Sequence, residues 1–269
     1  CPTSNLTYDE NYSSQIWIEE SALTCGGFAN LHIWRLSENG LDPGNFMNDA
    51  GFRVGADLQV SGEGEGEAGL QISPWWSTTS EGRFNVRTTD GEIAVFGGRL
   101  PYYSFTANHG VTYAKGDMVH LEMAYRPNDL SSLNPGTIEY TLTLNGTDYA
   151  SGAIPFDEGN PEEGRGSWGI LDNAQVGGHV QTFLNTEGAE EDMVRVDWSN
   201  IEFELFAQGE EGACCLESGE CLVTMNSDAC TEQGGEWQGS GTSCDPNPCE
   251  MVPTETTTWG QIKSGFSGR

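Results

Sequence analysis

The sequence predicts an all-β protein, a large antiparallel β-sandwich followed by a small disulfide-rich C-terminal module. Three observations carry this. From about residue 14 to 206, runs with period-two alternation or with β-branched and aromatic enrichment recur without a convincing amphipathic helix longer than two turns. Strong breakers such as TTDGE, NPGT, LNGTD and EGNPEEGRG separate those runs at the spacing of a sandwich. Six of the eight cysteines fall between 214 and 249, and none lies between Cys25 and Cys214.

In chain order, Cys1 and Cys25 frame the first segment. An even, clustered set of cysteines reads as disulfides, which persist in oxidising compartments, so a secreted protein is expected. The two cysteine groups are separated by an entire domain, so Cys1 is expected to bond Cys25 and the other six to bond among themselves. With no leader before Cys1, the chain is expected to be a processed form. Alternatively Cys1 is the acylated cysteine of a bacterial lipoprotein, which would leave Cys25 unpaired. No apolar run approaches the ~18 residues of a membrane helix. Asn5, Asn11 and Asn145 begin glycosylation sequons, which matter only where the source has the machinery.

The stretch GEGEGEAGLQISPWW sets Glu63, Glu65 and Glu67 at every second residue before Trp75 and Trp76. In an extended chain three carboxylates would stand on one face. Glycine at the intervening positions weakens a strand and leaves the carboxylates without packed neighbours, so a mobile acidic loop or strand end is expected. Glu67 abuts the strand AGLQIS and is expected as an edge residue with satisfied hydrogen bonds, its functional alternative being a polar anchor in a groove. Pro74 ends that strand, and one tryptophan of the pair is expected to be buried. The other, with Tyr102 and Tyr103, would offer an aromatic platform for sugar rings, although core packing is the ordinary fate of each.

Further along, RFNVR (83–87), EIAVF (92–96), MVHLEMAYR (118–126) and TIEYTLTLN (137–145) read as strands. Asn145–Gly146 supplies the positive φ angles of a tight hairpin turn. The run MVRVDWSNIEFELF (193–206) alternates into a closing strand. His32, His109, His120 and His179 stand alone without zinc spacing, and His120 is expected on a polar strand face. There is no nucleophile-elbow, Walker or dinucleotide-binding motif.

The order of hairpin, glycine-rich GGHVQTFLN and terminal strand resembles the concanavalin A-like jelly roll of laminin G and lectin type, over about residues 14–206. That resemblance implies a calcium ion near the terminal strand, where Asp197 matches best. Asp157, Glu158, Asn160 and Asp172 are further oxygen candidates. The superfamily includes laminarinase-type glycoside hydrolases, whose catalytic strand reads E-x-D-x-x-E. The acidic stretch here has neither the aspartate nor the spacing that such chemistry needs.

A second resemblance lies in GACCLESGECLVTMNSDACTEQGGEWQGSGTSCDPNPCE (212–250), which is similar to a cysteine-rich G-A-C-C module near the C-termini of secreted bacterial proteins. Its cysteines are Cys214, Cys215, Cys221, Cys230, Cys244 and Cys249; adjacent Cys214 and Cys215 are expected to bond different partners, the connectivity otherwise staying open. Forty residues bury little core, so bridges must replace it. The expected organisation is therefore a sandwich at 1–206, a cysteine-rich module at 207–250 and a linker with a short amphipathic tail at 251–269. In the tail, Trp259, Ile262 and Phe266 form an apolar stripe that needs a surface, and self-association is the expected use.

Forty-one acidic residues against 11 basic ones give a net charge of −30, which argues against nucleic acid and suits calcium. Taken together, these features point to a non-catalytic secreted bacterial surface protein, structural or adhesive, and to the subunit of a filament or other extracellular assembly. The alternatives are a carbohydrate-binding module and a laminarinase-type hydrolase.

Overall fold

The computed structural model describes residues 5–21, 29–73, 82–97, 100–156, 168–171, 173–183, 192–206, 212–224, 230–231, 233–240, 242–245 and 247–249. The chain divides into two compact units, 1–206 and 207–269. The first unit begins with β1 (Asn5–Asn11), β2 (Gln15–Ser21), β3 (Ala29–Arg35), β4 (Phe52–Ser61) and β5 (Gly66–Ser73). Next come β6 (Gly82–Arg87), β7 (Ile93–Phe96), β8 (Tyr103–Ser104), the short helix α1 (Phe105–His109) and β9 (Met118–Arg126). It closes with β10 (Thr137–Leu144), β11 (Thr147–Ala150), β12 (Ile154–Pro155), β13 (Gln175–Phe183) and β14 (Met193–Leu205).

Two antiparallel sheets face each other in a concanavalin-like jelly roll. The larger runs β1-β2-β14-β4-β9-β10-β11, with β12 also on β10; the smaller runs β3-β13-β5-β6-β7-β8. Alternation decides which residues fill the space between them. Val54, Leu58 and Val60 of β4, Leu121 and Met123 of β9, and Val196 and Trp198 of β14 are buried from one side. Ala68, Leu70, Phe84, Val86, Val176 and Val180 meet them from the other. The Trp198 indole donates to the Gly69 carbonyl at 3.3 Å and takes Trp34 edge-on at 5.9 Å. Asn145 (φ 53°) and Gly146 (φ 74°) make the tight turn from β10 to β11.

One polar group is built into the interface between the sheets. The fully buried carboxylate of Glu20, on β2, accepts from Asn30 Nδ2 at 2.5 Å and from Thr182 Oγ1 at 2.5 Å. His32 Nε2 lies 3.0 Å from its second oxygen. Since Asn30, His32 and Thr182 belong to β3 and β13, this carboxylate ties one sheet to the other, and its burial is tolerated because its lone pairs are satisfied.

The second unit is a three-stranded sheet of β15 (Gly212–Leu216), β16 (Cys221–Thr224) and β17 (Gly235–Ser240), with β15 in the middle. Disulfides Cys214–Cys230, Cys215–Cys249 and Cys221–Cys244 staple it, so the adjacent cysteines do go to different partners. Cys1, Cys25 and the tail residues Trp259, Ile262 and Phe266 lie outside the described residues.

Candidate active site on the smaller sheet

The smaller sheet has an apolar face and a polar face, and both follow from alternation in three adjacent strands. In β5, Ala68, Leu70 and Ile72 enter the core, so Glu67, Gly69 and Gln71 project the other way. Phe84 and Val86 do the same in β6, sending Arg83, Asn85 and Arg87 outward. In β13, Val176 and Val180 are core, so Gly177, His179 and Gln181 share that outer face.

Strand register then sets these residues in rows. Gly69 of β5 stands between His179 of β13 and Asn85 of β6, and Gln71 stands between Gly177 and Arg83. Glu67 stands between Gln181 and Arg87, and Arg35 of β3 adds to the Gly177 row. With strands ~4.8 Å apart, His179 and Asn85 are separated by about 10 Å with no side chain between them. Glycine is required there: a Cβ on Gly69 would lie 1.9 Å from the Phe84 carbonyl oxygen.

Burial gives this patch its chemical character. Gln71 and His179 are 0% exposed and Asn85 is 2% exposed. Among the described residues, both amide atoms of Gln71, the Asn85 oxygen and both ring nitrogens of His179 have no hydrogen-bond partner. Buried polar groups are nearly always paired, and a side-chain group that is not costs about 1–3 kcal/mol, so several in one patch mark a place kept for something other than stability. Burial, helped by the positive charge of Arg83, pushes the His179 pKa well below its ordinary 6.5. The imidazole is therefore neutral at physiological pH, with one ring nitrogen carrying a free lone pair.

Arg83 is held beside these groups. Its Nη1 donates to Glu67 Oε1 at 3.1 Å and to Gln181 Oε1 at 2.9 Å. Burial raises the Glu67 pKa, opposed chiefly by the charges of Arg83 and Arg87. Arg87 is paired in turn with Asp90 and Glu92. On a chain of net charge −30 this face thus gathers guanidinium groups.

Several sequence expectations need correction at this point. Glu67 is not an edge residue: β5 lies inside the sheet and its carboxylate is 6% exposed against Arg83. The acidic stretch before it is not a loose loop either. Lys115 Nζ donates to the Gly64 carbonyl at 2.7 Å and to Glu65 Oε1 at 3.0 Å, and Thr88 also bonds Glu65. Tyr103 packs edge-on against Phe105 at 4.9 Å on the core side of β8, with its hydroxyl 2.9 Å from His109 Nε2, while Tyr102 is 67% exposed. Glu67 and Tyr103 therefore lie on opposite faces of the sheet and form no common platform. Trp75 and Trp76 fall outside the described residues.

The calcium candidate Asp197 is engaged otherwise. Arg195 donates to its two oxygens from Nε at 2.8 Å and from Nη2 at 2.9 Å, and Gln15 Nε2 adds a third bond at 2.9 Å. A carboxylate surrounded by donors does not fit a cation. Among the described residues no group of three His, Cys, Asp or Glu is spaced to hold a metal, and Asp157, Glu158, Asn160 and Asp172 lie outside them. His120 does stand on a polar face, the outer one of the larger sheet, its Nδ1 2.8 Å from Asp57 Oδ1.

No protein-family model and no curated protein sequence matches this chain. Solved structures of similar fold are found. The alginate lyase from Klebsiella pneumoniae is 11% identical, with a TM-score of 0.47 over 75% of this chain and 85% of that one. Alginate lyase A1-II', a member of polysaccharide lyase family 7, is 8% identical with a TM-score of 0.45 over 74% and 82%. The PL-14 alginate lyase from Aplysia kurodai is 11% identical with a TM-score of 0.40 over 74% and 86%. The expectation of a non-catalytic structural or adhesive protein is corrected against these: all three structures are of alginate lyases, which are enzymes. At such identities the likeness describes the fold, and the roles of individual residues have to be argued from this chain alone.

Proposed function

We propose that this protein is a carbohydrate-active enzyme that cleaves an acidic polysaccharide by β-elimination on the polar face of the smaller sheet. The observation that supports it best is the buried, unpartnered set of Gln71, Asn85 and His179 beside Arg83. Elimination from a uronate needs two things of a protein. One is a group that removes the proton next to the carboxylate; the other is a set of donors that stabilises the charge building up on that carboxylate.

His179, held neutral by burial, suits the first role. Arg83 and the amides of Gln71 and Asn85 suit the second, since a guanidinium and amide N–H groups all donate to carboxylate oxygens. In the step itself the C5–H bond breaks to His179 and a C4–C5 double bond forms. The C4–O bond breaks, the departing oxygen takes up a proton from water, and His179 afterwards returns its proton to solvent. Hydrolysis fits less well, because it calls for two carboxyl groups flanking the scissile bond. Among the described residues of this patch Glu67 is one carboxylate, and it is committed to Arg83.

The three disulfides suit an oxidising, extracellular setting, and the 212–250 module serves as a stapled spacer resembling those of secreted bacterial proteins. The test is an assay on uronate polymers that follows ultraviolet absorbance of the new double bond. The parent and a His120→Ala control should give signal, and His179→Ala and Arg83→Ala should lose at least ~100-fold. Equal rates in all four would remove the patch from the chemistry.

A further inference from the structure

Arg35, Arg83 and Arg87 all stand on the outer face of the smaller sheet, and they are not used alike. Arg83 is committed to Glu67 and Gln181, and Arg87 to Asp90 and Glu92. Among the described residues Arg35 has no acidic partner, and its Nε is buried without an acceptor. A guanidinium is always charged and its N–H groups fork onto carboxylates, so a half-buried one with no anion beside it is a place for one to arrive. Strand register decides where that place lies. Arg35 of β3 pairs with Gly177 of β13, which pairs with Gln71 of β5, which pairs with Arg83 of β6. The two arginines thus stand at the two ends of a four-strand row, three strand spacings or about 14 Å apart. Between them are a glycine and the buried, unpartnered amide of Gln71. Gly177 can carry no side chain, because its Cβ would lie 2.0 Å from the Trp34 carbonyl oxygen.

We infer that Arg35 binds a second carboxylate of the polysaccharide chain, on a sugar other than the one that reacts, and so selects for chains charged on more than one residue. This rests on the reading of the face as the site of an acidic polysaccharide. A chain laid across the strands puts one uronate over Gln71 and Arg83 and carries its neighbours over Gly177 towards Arg35, with no side chain of that row in the way. Beyond Arg35 the sheet ends at β3, and the groove of about 670 Å3 that begins there is lined by Asp9, Glu10 and Glu38. Those carboxylates turn an anionic chain away, so Arg35 is the outermost cation of the track on that side among the described residues. Arg35 touches no reacting atom in this arrangement. Its contact is the same before and during the chemical step, so it acts on KM and leaves kcat alone.

Calorimetric titration with a saturated uronate hexamer tests this on the full chain carrying His179→Ala, which should bind the hexamer without cleaving it. Adding Arg35→Ala or Arg35→Gln should each weaken binding about tenfold, the loss expected of one charge-assisted contact. With His179 intact, Arg35→Ala should raise KM for a uronate polymer about tenfold and keep kcat within about twofold. Unchanged affinity in Arg35→Ala overturns the inference. So does affinity kept by Arg35→Gln, which has no charge, or a fall in kcat at unchanged KM. Hexamer binding that depends on Arg35, with no unsaturated product from the parent, would uphold this inference and defeat the elimination reading. A parent that binds no uronate hexamer would defeat both.

Discussion

Replacing Gln71 by methionine should make the protein more stable and less active at once. The side chain is 0% exposed, and both its amide nitrogen and its amide oxygen lack a hydrogen-bond partner. In the unfolded chain water satisfies both atoms; in the folded chain none of the described residues does, and the difference is a standing cost of about 1–3 kcal/mol for the amide group. Methionine has nearly the same length and volume, so Gln71→Met removes the polar atoms without opening a cavity. For a unit of this size each kcal/mol moves the melting temperature by roughly 2–4 °C, so the variant should melt about 2–12 °C higher. Calorimetry measures that gain, and the uronate assay should show the accompanying loss of rate, since a donor to the substrate carboxylate has gone. A lower melting point, of the size expected for a disrupted core residue, would mean that the amide is satisfied in the native protein. The inference that the patch is held ready for a ligand would then fail.

Three further outcomes follow from the same geometry. Glu20→Leu takes the acceptor from the buried Thr182 hydroxyl and the half-buried Asn30 amide and should cost about 2–4 kcal/mol in chemical denaturation; a cost below ~1 kcal/mol would show that the carboxylate does not tie the sheets. Glu67 has a folded pKa raised above 4.5, so its contribution to stability is present below that value and is lost as pH rises through the raised pKa. The parent should therefore lose melting temperature relative to Glu67→Gln on going from pH 4 upward, and parallel curves would contradict the shift. Reduction of the three disulfides, each worth ~2–5 kcal/mol in a module this small, should unfold 212–249 while the sandwich keeps its own transition in calorimetry.

Much of the fold is legible in the sequence because alternation is a local property. MVHLEMAYR and TIEYTLTLN become β9 and β10 nearly residue for residue, and the Asn145–Gly146 turn fixes their neighbour β11. The cysteine spacing likewise announces a stapled module, although not its pairing. The candidate site is different in kind. Gln71, Asn85 and His179 come together only because β5, β6 and β13 are adjacent, and a pairing between strands a hundred residues apart leaves no mark on either one. His179 looks solitary in GGHVQTFLN for that reason. One signal was present all the same: in LQI, RFNVR and HVQ the polar member of the alternation is Gln, Arg, Asn or His, while the other member is apolar. Strands whose second face is polar yet not uniformly charged are candidates for a working surface.

Mass spectrometry of the products from a uronate polysaccharide tests the central claim most directly, because elimination and hydrolysis differ by one water. The account predicts oligosaccharides whose new non-reducing ends carry a C4–C5 double bond and no added water, formed by the parent and by His120→Ala and absent with His179→Ala. Saturated products with one water added per cleavage, or products that persist unchanged in His179→Ala, would contradict it.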